Sequence, residues 1–92
     1  MKTFAWDEWN ENHISKHEVT KKEVKEASNS KTIITESYLG RKLIFGKTKK
    51  GRLLTVVVSF EKQKEPYVVS ARDMSKKERR IYYEKTKTNK TI

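Results

Sequence analysis

The chain has 92 residues, a net charge of +10 and no cysteine. That length supports one domain with one core, and a composition of 34% hydrophobic and 37% charged residues argues against a large internal pocket, a disulfide framework or a thiolate metal site. No apolar run has signal-peptide or membrane-spanning length, so the expectation is a cytoplasmic protein without membrane contact, working on an open face or groove.

In chain order, Thr3-Phe4-Ala5-Trp6 alternates weakly and is expected to add a short strand at a sheet edge. Asp7 then caps a first helix running to about His17, with Trp9 and Ile14 turned inward and both histidines hydrogen-bonding at the sheet edge. Thr20-Lys-Lys-Glu23 is a capping box, and Val19 with Val24 forms a hydrophobic staple, which predicts a second helix ending near Ser28 to Ser30. From Lys31 the pattern is β-like, with strands over 32–35, 42–45, 53–60 and 67–71. Leu39-Gly40 and Lys49-Lys50-Gly51 supply turns, so the strands form an antiparallel meander in which Val56, Val58 and Phe60 share a face. Pro66 opens the last strand, where its missing N–H costs little. Ser75-Lys-Lys-Glu78 is another capping box and begins a C-terminal helix with Ile81 and Tyr82 inward. Residues 87–92 lack apolar periodicity and are expected to be a disordered tail. The fold class is therefore α+β, a single domain over residues 1–86, with two N-terminal helices, a four-stranded antiparallel sheet and a C-terminal helix.

Charge is unevenly distributed along this plan. Residues 1–36 hold six lysines against seven acids, and the remainder holds sixteen basic residues against five acids. Between Arg41 and Arg52 lie Lys42, Lys47, Lys49 and Lys50 with no acid, the electrostatic footprint of a phosphate-backbone binder. A lysine-rich solvated surface is the plainer alternative.

The densest constellation runs from Ser70 to Tyr83. Arg72 leaves the last strand just before a capped helix carrying Lys76, Lys77, Glu78, Arg79, Arg80, Tyr82 and Tyr83, and helical spacing sets Glu78 beside Tyr82 and Arg79 beside Tyr83. A strand-end arginine next to a basic helix start is suited to holding a scissile phosphate from two sides. Cleaving RNA without a metal needs a base for the 2′-OH proton, fixed positive charge on the phosphorane and an acid for the leaving 5′ oxygen. Arginine supplies the charge, while glutamate, histidine, tyrosine and lysine are all available for the proton transfers. Capping alone also accounts for Glu78, and a solvated helix face for Arg79 and Arg80. Lys49, Lys50, Lys76, Lys77 and Arg52 are further candidate RNA contacts, with Tyr83 as a base-stacking surface. His13 and His17 stand at i, i+4 spacing, but no third ligand follows at a diagnostic interval, so neither a metal nor another cofactor is expected.

These residues resemble the BrnT family of bacterial type II toxins. Trp6-Asp7 with Asn10, His13, Lys16-His17 and Val19 matches the family's opening, Gly51-Arg52-Leu53-Leu54 its middle, and Ser70-Ala71-Arg72 with Lys77-Glu78-Arg79-Arg80 and Tyr82 or Tyr83 its close. Glu18 stands where the family usually has glycine, and Glu65 and Tyr67 stand where it usually has a basic residue on the last strand. The resemblance implies a RelE-like fold and a ribonuclease that blocks translation by cutting RNA. It also implies inhibition by an antitoxin with a ribbon-helix-helix domain, the pair reaching operator DNA only as a complex. Carried over by position, the residues tied to activity are Arg72, Glu78, Arg79 and Arg80, with His17 and Arg52 beside them. The competing expectation is a degenerate toxin that only binds antitoxin or nucleic acid.

Overall fold

The computed structural model describes residues 4–37, 39–60 and 65–86 of the chain. In order it contains α1 (Glu8–Lys16), α2 (Lys21–Ser28), β1 (Ile33–Glu36), β2 (Arg41–Lys47), β3 (Leu53–Ser59), β4 (Tyr67–Asp73) and α3 (Lys76–Thr86). The strands form one antiparallel meander in the order β1-β2-β3-β4. This is the α+β architecture expected from the sequence. The tail over 87–92 lies outside the described residues. Among those described, no helix is long and apolar enough to cross a membrane.

The helices begin where local chemistry starts them. Asp7 accepts a hydrogen bond from the Asn10 N–H while the Asn10 side chain accepts from the Asp7 N–H, and Thr20 and Glu23 make the same reciprocal pair ahead of α2. Each box satisfies amide donors that the first helical turn leaves open. Val19 and Val24 are both buried, as the staple requires.

The sheet separates two apolar clusters. On one face Ile14, Val19, Val24 and Ala27 pack on Ile44, Leu54, Val56, Val58, Val68 and Ala71. On the other, Tyr82 and Met74 pack with Phe45, joined by Ile33, Leu43, Leu53 and Ile81. Thus α1 and α2 cover one face, and α3 lies across β1 and β2 on the other. Gly46 is required where α2 meets β2, because a Cβ there would run into the Ala27 carbonyl group.

Four details differ from the sequence expectations, the first being that among the described residues the His13 and His17 imidazoles make ring contacts along α1 rather than hydrogen bonds at the sheet edge. Trp9 is 55% exposed, and the inward positions of α1 are Asn10 and Ile14, both buried. The capping box rotates Asn10 toward the sheet, where its amide donates to the Ala5 carbonyl at 2.9 Å; with Asn10 and Ile14 on the covered face, Trp9 falls outside it. Phe60 follows the end of β3 and is 38% exposed, so it does not share the buried face of Val56 and Val58. Of the short strand expected over 3–6, residue 3 lies outside the described residues; among those described, one parallel bridge joins Ala5 to Tyr67.

Candidate functional site: the β4–α3 junction

Register decides what surrounds Arg72. Thr55 on β3 pairs with Arg72 on β4, and a bulge between Val57 and Val58 shifts the pairing farther along. Arg72 thereby projects on the face that α3 approaches, where Glu78 meets it. Arg72 Nη1 and Nη2 donate to Glu78 Oε1 and Oε2 at 2.7 and 2.9 Å. The buried Thr55 hydroxyl donates to Oε1 at 2.9 Å, and the Ser75 N–H donates to the same oxygen at 2.9 Å. Glu78 N–H donates back to Ser75 Oγ, completing the capping box.

This concentration of donors governs the carboxylate's chemistry. The Arg72 bond, with the Ser75 and Thr55 bonds behind it and against the opposing effect of burial, lowers the Glu78 pKa to about 2. A carboxylate so stabilised is ionised at neutral pH and has little tendency to take a proton. Glu78 also raises the Arg72 pKa further above its ordinary value. Among the described residues Arg72 Nε has no acceptor, so the aligned guanidinium keeps a donor for a ligand.

The neighbouring residue, Asp73, anchors a second cluster. Arg52 Nε donates to Asp73 Oδ1 at 2.8 Å, and Arg52 Nη1 donates to both Glu23 oxygens at 3.1 and 3.2 Å. The same guanidinium donates to the Glu18 carbonyl at 2.7 Å and the His17 carbonyl at 3.3 Å. Arg52 thus joins the start of β3 to the α1–α2 connection, the first turn of α2 and the end of β4. Its hydrogen bonds are spent within the chain, unlike those of the free phosphate contact that its sequence position allowed. The Arg52 bond lowers the Asp73 pKa, and the positive fields of Arg79 and His17 add to it. Arg52 holds the His17 carbonyl and Asp73 together, and Arg79 donates to the carbonyl of the next residue, Met74, so the His17 backbone and the Arg79 side chain meet the same end of β4.

An aromatic ladder leads along α1 to this point. The exposed Trp9 ring stacks on His13 at 4.9 Å and 9° between planes, and His13 meets His17 edge-on at 5.8 Å. Among the described residues no group of three His, Cys, Asp or Glu side chains is arranged to hold a metal ion.

The remaining candidates spread over two areas. Arg80, Lys76 and Lys77 are exposed on α3, and Arg79 is exposed with one N–H donated to the Met74 carbonyl at 3.3 Å. Lys50 is exposed in the β2–β3 turn, while Lys49 and Tyr83 line an open groove away from Arg72. Sequence reasoning missed Thr55 and Asp73. The adjacency of Asp73 to Arg72 was the only available signal, and Thr55 required the strand register.

Tyr67 and Glu18 sit at two joints of the fold, the start of β4 and the α1–α2 connection. The Tyr67 hydroxyl donates to both Asp7 carboxylate oxygens at 2.9 and 3.0 Å, tying β4 to the cap of α1. Glu18 has φ 60°, the left-handed region that glycine occupies at least cost.

No curated protein and no solved structure matches the chain. A family model described as the ribonuclease toxin BrnT of type II toxin-antitoxin systems matches residues 6–78, which implies RNA as substrate and an antitoxin as partner. The match takes in α1, the Arg52 cluster, Arg72 and Glu78, and the chain belongs to the BrnT family of ribonuclease toxins.

Proposed function

We propose that the chain is a metal-independent endoribonuclease that inhibits translation by cutting RNA at the β4–α3 junction. The observation that carries this reading is the presentation of Arg72 by Glu78 at a helix start where Arg79 and Arg80 are exposed, next to Asp73, whose partner Arg52 also holds the His17 carbonyl. Arg72, Arg79 and Arg80 stabilise the charge that builds on the phosphorane. His17 is the preferred proton carrier, because its side chain is exposed and an imidazole has one nitrogen to accept a proton and another to donate one. A base removes the 2′-OH proton, O2′ attacks phosphorus, and the 5′ oxygen leaves with a proton, giving a 2′,3′-cyclic phosphate. Glu78 positions Arg72.

In this reading the antitoxin carries a ribbon-helix-helix domain, and an acidic segment of it covers the basic face, excluding RNA by charge and by volume. The complex, not the toxin alone, engages operator DNA.

The test is incubation of the purified chain with single-stranded RNA in EDTA, together with expression in cells lacking the antitoxin. Fragments ending in 2′,3′-cyclic phosphate and arrested protein synthesis are expected. Intact RNA and unimpaired growth would leave the degenerate, antitoxin-binding reading in its place.

A further inference from the structure

An open groove of about 920 Å³ lies between α2, the β2–β3 turn and α3. Lys22 and Lys25, three residues apart on α2, contribute one wall, while Lys31, Lys47 and Lys49 come from the α2–β1 connection, the end of β2 and the turn. Glu26 is the one acid among its described lining residues, and one of its oxygens accepts the Lys49 backbone N–H at 3.2 Å. Among the described residues none of these five lysines forms a salt bridge, whereas Lys21 and Lys42 pair with Glu11 and Glu36. Five ammonium groups around one depression repel each other unless an outside anion joins them.

The opposite wall is aromatic. Tyr82 is buried and its hydroxyl donates to the Lys31 carbonyl at 2.9 Å, which fixes the second half of α3 against the groove. Tyr83 is left 43% exposed, with its ring edge-on to Tyr82 at 5.9 Å. Arg79 lies one helical turn before Tyr83 on α3, so this wall leads back toward the junction.

We infer that this groove binds a single-stranded stretch of RNA flanking the cut, with phosphates on the five lysines and an unpaired base on Tyr83. The inference rests on the nuclease reading and extends it to a substrate subsite that selects unpaired strand. Spaced negative charges match the lysines, and only an unpaired strand exposes base faces for the tyrosine.

The probe is a labelled, uncleavable 2′-O-methyl oligouridylate of about a dozen nucleotides, a length within the range of single-strand sites. Lys22→Gln, Lys25→Gln and Lys47→Gln together are expected to weaken binding about 30-fold and to reduce the slope of log Kd against log salt by about 2. Tyr83→Leu should weaken it about tenfold with the salt slope unchanged. Cleavage of a dinucleotide, too short to enter the groove, should survive the lysine changes. Unchanged affinity and slope in folded variants would overturn the inference. So would oligonucleotide binding at wild-type strength with loss of antitoxin binding, because the groove would then be the antitoxin's seat. Groove-dependent binding by a wild-type chain that cuts no RNA would support the subsite while overturning the nuclease reading.

Discussion

Arg72 and Glu78 meet across the β4–α3 junction in a two-pronged ion pair, with N–O distances of 2.7 and 2.9 Å. Since Glu78 is also the capping residue of α3, the pair makes the strand end and the helix start one unit. The side chain that begins the helix also aims the arginine.

That pair makes stability depend on acid. The Glu78 pKa falls from 4.5 to about 2 on folding, so its contribution is fully present above about pH 4.5 and is lost as pH falls through about 2. Arg72 is 37% exposed, so solvent screening reduces the contribution to about 1–2 kcal/mol. Urea denaturation should show Glu78→Gln less stable than wild type by about that amount near neutral pH, with the difference closing toward about pH 2. A difference that stays constant across this range would assign the loss to shape rather than ionisation.

Arg52→Ala should cost about 2 kcal/mol, because it leaves Asp73 and Glu23 without their partner and frees the α1–α2 connection from β3. Arg52→Lys should recover less than half of that, since a single ammonium does not span acceptors on four sides. The check is the chemical denaturation midpoint of both variants. Equal midpoints for Arg52→Ala and wild type would remove Arg52 from the set of structural anchors.

Glu18→Gly should raise stability by about 0.5 kcal/mol, the relief at φ 60° exceeding the extra freedom of glycine in the unfolded chain. Glu18→Val should lower it by more than about 1 kcal/mol, because a β-branched side chain tolerates that backbone poorly. Thermal denaturation distinguishes the two directions.

Features confined to a few neighbouring residues were legible before the structure. The boxes at Thr20/Glu23 and Ser75/Glu78, the staple of Val19 and Val24, and the turns at Leu39-Gly40 and Gly51 each carry their cause within about five residues. Features decided by distant partners were not. Trp9 reads as a core residue until the box at Asp7 turns Asn10 into that place. Arg52 reads as a candidate RNA contact or a solvated turn residue, and its bonds to Glu23 and Asp73, far away in sequence, are visible only in the folded chain. Glu78 stood open between capping and proton transfer; its bonds to Arg72 and Thr55, visible only in the folded chain, favour capping and alignment.

The central claim is that the arginine held by Glu78 supplies transition-state charge. Its most direct test is single-turnover cleavage of a single-stranded RNA in EDTA by wild type and Arg72→Ala, with folding of the variant verified by circular dichroism. A fall in rate of about 10²–10³-fold is predicted for Arg72→Ala. Cleavage at the wild-type rate by the folded variant would contradict the claim and move the active centre away from the β4–α3 junction.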